Sequence, residues 1–173
     1  MSSRISNVLF LCTGNSARSI MAEALLSRYG EARFRAFSAG SRPRGEVNPL
    51  AIRLLSEHGF PVEGLRSKSW DEFARPGAPA MDFIITVCDN AAGEVCPVWP
   101  GHPATAHWGV EDPAEACGTE QERMAAFRRV FALLEERVRM LVAIRPEKLG
   151  RAAMEERLRA IGAGDECAEA EGQ

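Results

Sequence analysis

The stretch Cys12-Thr13-Gly14-Asn15-Ser16-Ala17-Arg18-Ser19 constrains this chain more than any other, because it joins two opposite hydrophobic patterns. Before it stands the continuous apolar run Val8-Leu9-Phe10-Leu11, the pattern of a strand buried on both faces of a parallel sheet. After it, Met21, Leu25 and Tyr29, with Ala24 beside them, recur at helical spacing. The stretch is therefore the loop of a strand–loop–helix unit. A cysteine and an arginine six positions apart, with Gly, Asn and Ser between them, let backbone N–H groups turn inward as a nest. Such a nest, here Thr13 to Ser19, holds a tetrahedral oxyanion, and Arg18 closes its rim. The helix start, Arg18 and the Ser19 hydroxyl should together favour the Cys12 thiolate, a nucleophile seated beneath an anion. The full spacing sets Cys12 apart from an inert strand-end cysteine.

With 173 residues, 46% of them hydrophobic, the chain can bury one core and is expected to form a single domain. A net charge of −3, with basic residues scattered along the chain, gives no electrostatic footprint for nucleic acid. Residues 1–7 lack the apolar core of a signal peptide, and no apolar run approaches the ~20 residues of a membrane helix. A soluble, cytoplasmic protein without a membrane partner is expected. Five cysteines, an odd count without an export signal, point to free or catalytic thiols rather than a disulfide framework.

Four strands are expected, at 7–12, 33–38, 82–88 and 105–108, and helices separate them. The first helix should end with Gly30 as its cap, and the second should start at Asn48-Pro49 and reach Gly59. Ser69-Trp70-Asp71-Glu72 has the form of a capping box opening a short helix, as do Thr119 and Glu122 before a long one. In the long helix Met124, Phe127, Phe131, Leu134, Val138 and Leu141 form a core-facing stripe. Residues 147–161 can form a weaker amphipathic helix, and 162–173 form a small, acidic, disordered tail. This alternation predicts an α/β domain: a four-stranded, twisted parallel sheet with helices on both faces. Ligands in such folds bind beyond the carboxyl ends of the strands, where Cys12 and Cys88 both stand.

If the first and third strands are neighbours, their spacing of roughly 4.8 Å would allow Cys12 and Cys88 to bond. Cys96 follows eight residues later; a helix between them would hold it about 12 Å away, so a Cys88–Cys96 bridge needs that segment to unwind. Ala91, Ala92, Gly93 and Pro97 make it a marginal helix. Cys88, Cys96, His102 and His107 could also be counted as zinc ligands, but the gap between the cysteines exceeds that of common structural zinc sites, and no metal is expected. His58, His102 and His107 suit surface or packing roles, and Cys117 and Cys167 fall outside any motif. Asp112-Pro113, taken alone, marks a turn.

CTGNSARS followed by Met21-Ala22-Glu23 resembles the signature of the low-molecular-weight tyrosine phosphatase fold, and of the arsenate reductases that share it. Phe37-Ser38-Ala39-Gly40, Val87-Cys88-Asp89 through Cys96-Pro97, and HWGVEDPA from His107 extend the resemblance to the reductases over residues 7–142. It implies a reductase domain over 1–145, with 146–173 as a helical extension and tail. It implies further that Cys12 attacks arsenate, that the loop and Arg18 hold the oxyanion, and that Asp112, with Glu111 as the fallback, acts as general acid. Cys88 would then attack the Cys12 sulfur, and Cys96 would take over the disulfide. No cofactor is expected to be bound; the reductant would be an external thiol, thioredoxin or glutaredoxin with glutathione, and phosphate or sulfate would mimic the substrate. A monomer is expected. Two departures count against a phosphatase: Ala17 stands where those enzymes have a second loop cysteine, and Ala114 where they have a tyrosine. The phosphatase stays the alternative, and a non-catalytic phosphate or thiol sensor a third reading.

Overall fold

The computed structural model describes residues 4–93 and 99–164. Strands β1 (Ser6–Cys12), β2 (Phe34–Gly40), β3 (Phe83–Thr86) and β4 (Ala104–His107) form one parallel sheet in the order β2-β1-β3-β4. The most apolar strand takes a central place: Val8, Leu9, Phe10 and Leu11 are wholly buried. Around the sheet run α1 (Arg18–Gly30), α2 (Pro49–Glu57), α3 (Asp71–Ala74), α4 (Asp89–Gly93), α5 (Glu120–Ala143) and α6 (Arg151–Ala163).

Alternation along β1 divides the interior in two. Val8, Phe10 and Cys12 enter a large core with Leu25 of α1, Leu54 of α2, Phe127 and Leu134 of α5, and Leu158 of α6. Leu9 and Leu11 enter a smaller one with Trp70, Phe73, Ile84 and Trp99. Helices cover both faces unequally, since α3 and aromatic side chains from loops do most of the work on the second. In register, Cys12 lies opposite Gly40 and Leu11 opposite Thr86, so one end of the sheet gathers the nucleophile loop and the segment after β3.

Local chemistry sets the helix starts. The Asn48 side chain accepts from the Leu50 N–H at 2.9 Å ahead of Pro49. Thr119 accepts from the Glu122 N–H at 3.2 Å to open α5. Two expectations are corrected. Gly30 is the last residue of α1 rather than its left-handed cap, and Glu31, at φ 37°, makes that turn. Gly30 is small for packing, since a Cβ there would lie 2.8 Å from the Phe34 Cβ. The box at Ser69 does not form either. The backbone around Ser69 pairs with Gly40 as an isolated parallel bridge, and Glu72 turns to a two-pronged pair with Arg66 at 2.9 and 2.6 Å. A charge-assisted bond outcompetes the neutral backbone amide, so Glu72 does not close the box, while Ser69 Oγ still accepts from the Asp71 N–H at 3.2 Å as α3 begins.

Beyond α5, helix α6 lies against β4 and buries Met154, Leu158 and Ile161. The wholly buried Trp108 donates its indole N–H to the Leu158 carbonyl at 2.9 Å. The tail expected from residue 162 falls mostly outside the described residues. Among the described residues no helix is long and apolar enough to cross a membrane. Because Leu158 is wholly buried in the main core, Leu158→Ala is expected to cost about 2–5 kcal/mol in urea unfolding. A loss below about 0.5 kcal/mol, the range of surface substitutions, would show that α6 adds nothing to the core.

Candidate active site

The loop between β1 and α1 is held by its carbonyls. Thr13 O accepts from Arg42 N at 2.9 Å, Gly14 O from Arg44 N at 3.0 Å, and Ser16 O from Asn48 N at 2.8 Å. With these carbonyls occupied, the Asn15 N–H points at the Cys12 sulfur at 3.2 Å, the start of an amide nest. Asn15 sits at φ 44°, a left-handed conformation that asparagine tolerates better than most residues. Its amide, wholly buried, donates to Ser19 Oγ at 2.8 Å and Ser38 Oγ at 3.1 Å and accepts from Lys68 N at 2.9 Å. Gly40 passes so close that a Cβ there would press on Thr13 O and on Asn15.

Cys12 is 3% exposed, with its sulfur 2.9 Å from Ser19 Oγ. The Asn15 NH₂ can only donate, so the Ser19 oxygen accepts from it and the Ser19 proton is directed at the sulfur. Burial nevertheless pushes the Cys12 thiol above its ordinary value. The Ser19 hydrogen bonds pull it down, Cys88 pushes it up, and Arg18 pulls it down least. The expected thiolate preference is corrected accordingly: desolvation outweighs the donors and the nearby cation.

Arg18 opens α1 and turns toward the loop after β4, with Nη1 donating to Val110 O at 3.2 Å and Nη2 lying 3.4 Å from Asp112 Oδ2. Asp112 also accepts from Ala114 N at 3.0 Å and so starts the 3₁₀ turn Pro113–Glu115. One carboxylate therefore makes the turn and faces the site. Glu111 instead pairs with Arg129 at 3.5 Å and stays largely exposed.

Cys88 is buried just past β3, where the strand register brings it level with Thr13; its sulfur lies 3.6 Å from Thr13 Oγ1 and accepts from Ala91 N at 3.3 Å in the first turn of α4. Cys12 and Cys88 are both free thiols, close enough that Cys88 opposes the ionisation of Cys12. Cys96 and Cys167 lie outside the described residues, and Cys117 is free and exposed. His107 bridges Asp89 Oδ1 and Thr86 Oγ1, each at 2.8 Å, and His58 packs on Phe131. Among the described residues no three His, Cys, Asp or Glu side chains gather as a metal set.

Two charged residues beside the site carried no sequence signal. Lys68 looks like any loop lysine, yet it is 8% exposed beneath the loop. Arg137 sits within the helical pattern of α5, buried, and donates to Gly109 O at 3.2 Å in the loop leading to Asp112.

A cysteine at the mouth of a parallel sheet, below an amide nest and faced by an arginine–aspartate pair, defines a phosphatase-type anion site. The family model for low molecular weight phosphotyrosine protein phosphatase matches residues 7–155. An arsenate reductase of Halalkalibacterium halodurans is 39% identical over 132 residues, covering 76% of this chain and 91% of the relative. The crystal structure of an arsenate reductase from Archaeoglobus fulgidus superposes with a TM-score of 0.63 at 34% identity, covering 79% of this chain and 99% of the other. A thioredoxin-dependent arsenate reductase of Corynebacterium glutamicum gives 0.58 at 28% identity, over 82% and 62%. The chain belongs to the low molecular weight phosphotyrosine protein phosphatase family, and within it to the arsenate reductases.

Because Gly40 has no room for a Cβ, Gly40→Ala is expected to displace the loop. It should cost about 1–3 kcal/mol and abolish the thermal protection given by sulfate or phosphate; full protection would overturn the close-approach argument. The raised Cys12 value also has a sign in stability. Above the ordinary thiol value the unfolded chain releases a proton that the folded chain retains, so stability falls as pH rises toward the folded value. Urea midpoints measured up through that window should decline more steeply for the native protein than for Cys12→Ser.

Proposed function

We propose that this protein reduces arsenate to arsenite through a thiol relay. The Cys12 thiolate attacks arsenic(V), forming a sulfur–arsenic bond, while the amides of residues 13–19 and Arg18 hold the oxyanion. Asp112 protonates the departing hydroxyl, which leaves as water. Cys88 then attacks the Cys12 sulfur; the sulfur–arsenic bond breaks with its electron pair going to arsenic, and arsenite departs from a Cys12–Cys88 disulfide. Cys96 attacks Cys88 and returns Cys12 to the thiol, leaving Cys88–Cys96 for an external reductant. The thioredoxin-dependent Corynebacterium relative favours thioredoxin over glutaredoxin with glutathione as that reductant.

The observation that carries this reading is the second buried free thiol, Cys88, just past the strand that neighbours β1 and against Thr13. Phosphate ester hydrolysis needs Cys12, Arg18, Asp112 and water and gives Cys88 nothing to do. That smaller set is nonetheless complete, which keeps hydrolysis of phosphate monoesters as the second reading.

The two part on one anaerobic experiment. Fully reduced protein mixed with one equivalent of arsenate is expected to lose two thiols, with a Cys12–Cys88 or Cys88–Cys96 bridge found by mass spectrometry, and Cys12→Ser is expected to lose none. Full thiol retention, together with aryl phosphate hydrolysis that vanishes in Cys12→Ser, would make the protein a phosphatase.

A further inference from the structure

Beneath the nucleophile loop lies an ion pair that the proposed relay does not use. The Lys68 and Glu23 side chains are 7% and 14% exposed, with Nζ 3.9 Å from Glu23 Oε1. Lys68 Nζ also donates to Arg66 O at 2.9 Å and to Ser38 Oγ at 3.4 Å, and Ser38 Oγ donates to Glu23 Oε1 at 3.2 Å. A buried lysine without a function is costly, since burial alone disfavours its charge.

The polarity of every bond in this cluster follows from its ends. An ammonium can only donate and a carboxylate can only accept, so Ser38 sends its proton to Glu23 and offers its oxygen to Lys68 and to the Asn15 NH₂. Asn15, held in that orientation by the Lys68 N–H on its carbonyl oxygen, donates its second hydrogen to Ser19. Ser19 is then left with one place for its proton, the Cys12 sulfur. We infer that Lys68 is a positioning residue for the Cys12 thiolate: its buried ammonium, partnered by Glu23, fixes the direction of the Ser38–Asn15–Ser19 hydrogen bonds and supplies the positive charge behind the sulfur.

The charged and titratable groups facing these residues are few. Cys12 is faced by Cys88, which opposes its ionisation, and by Arg18, which assists it. Lys68 is faced by Glu23, Arg66 and Glu72, and interacts with Cys12 itself. Arg66 is neutralised by its two-pronged contact with Glu72, at 2.9 and 2.6 Å. The remaining charges beneath the loop are the Lys68–Glu23 pair: Lys68 interacts with Cys12, and Glu23, held by Lys68 and Ser38, carries the opposite charge.

That opposition supplies the test. Thiolate ultraviolet absorbance is titrated in the full-length protein, with the Cys12 contribution isolated by subtracting the same variant carrying Cys12→Ser. Lys68→Met is expected to lower the Cys12 acid dissociation constant about tenfold, one pH unit upward in midpoint. Glu23→Gln, which keeps an acceptor for Ser38 and leaves the ammonium uncompensated, is expected to raise the constant severalfold. A residue that merely supports the loop would shift both variants the same way. Shifts in one direction, or no shift in a folded Lys68→Met, would overturn the inference; should Lys68→Met fail to fold, an unchanged or upward midpoint in Glu23→Gln overturns it alone. The inference builds on Cys12 as the nucleophile of the proposed reaction, but no arsenate enters the titration, so a failed relay and a failed Lys68 role give different results.

Discussion

The mouth of the sheet depends on one buried amide. Asn15 makes two donor bonds and one acceptor bond with no exposure to water, and these tie α1, the end of β2 and the segment at Lys68 to a single point. Leaving any of these groups unmatched in the interior would cost about 1–3 kcal/mol, so the left-handed backbone at Asn15 is held by its surroundings rather than by local preference. The same bonds explain why Gly40 must be small and why residues 68–70 run alongside it as a parallel bridge.

Cys12 shows how burial and directed donors compete. A thiol with 3% exposure is pushed away from ionisation, and the hydrogen bonds from Ser19 oppose that push more strongly than Arg18 does. Arg18 is turned outward, to Val110 O and Asp112, so its charge is shared with the loop after β4. Hydrogen bonds gain strength where water is excluded, so the buried Ser19 donors outweigh the charge of Arg18 at the sulfur.

Much of the frame was legible along the chain because it rests on periodicity. The apolar run before Cys12, the run 83–87 and the stripe of α5 each stand in the interior, as continuous burial and 3.6-residue spacing require. Gly30 and Glu72 were misread because tertiary contacts won locally: Phe34 needs the space at Gly30, and Arg66 takes the carboxylate that would have closed the box at Ser69. In the site, Cys12 and Arg18 stood out by motif and spacing and Asp112 only through the resemblance to the reductases, and the structure faces Arg18 with Asp112. Lys68 and Arg137 gave no signal, since a lone cation reveals its burial only when distant segments close around it.

The sequence by itself determined the succession of strands and helices along the chain, the strand–loop–helix unit around residues 12–19 and the supply of thiols, because these follow from local hydrophobic spacing and from side-chain chemistry within a few residues. Tertiary structure alone decided that Asp112 rather than Glu111 faces Arg18, that Cys88 comes level with Thr13, and that Lys68 is buried with Glu23. Each of those depends on parallel register and loop closure between segments far apart in the chain. Only packing sets which of several chemically equivalent partners come within hydrogen-bond distance.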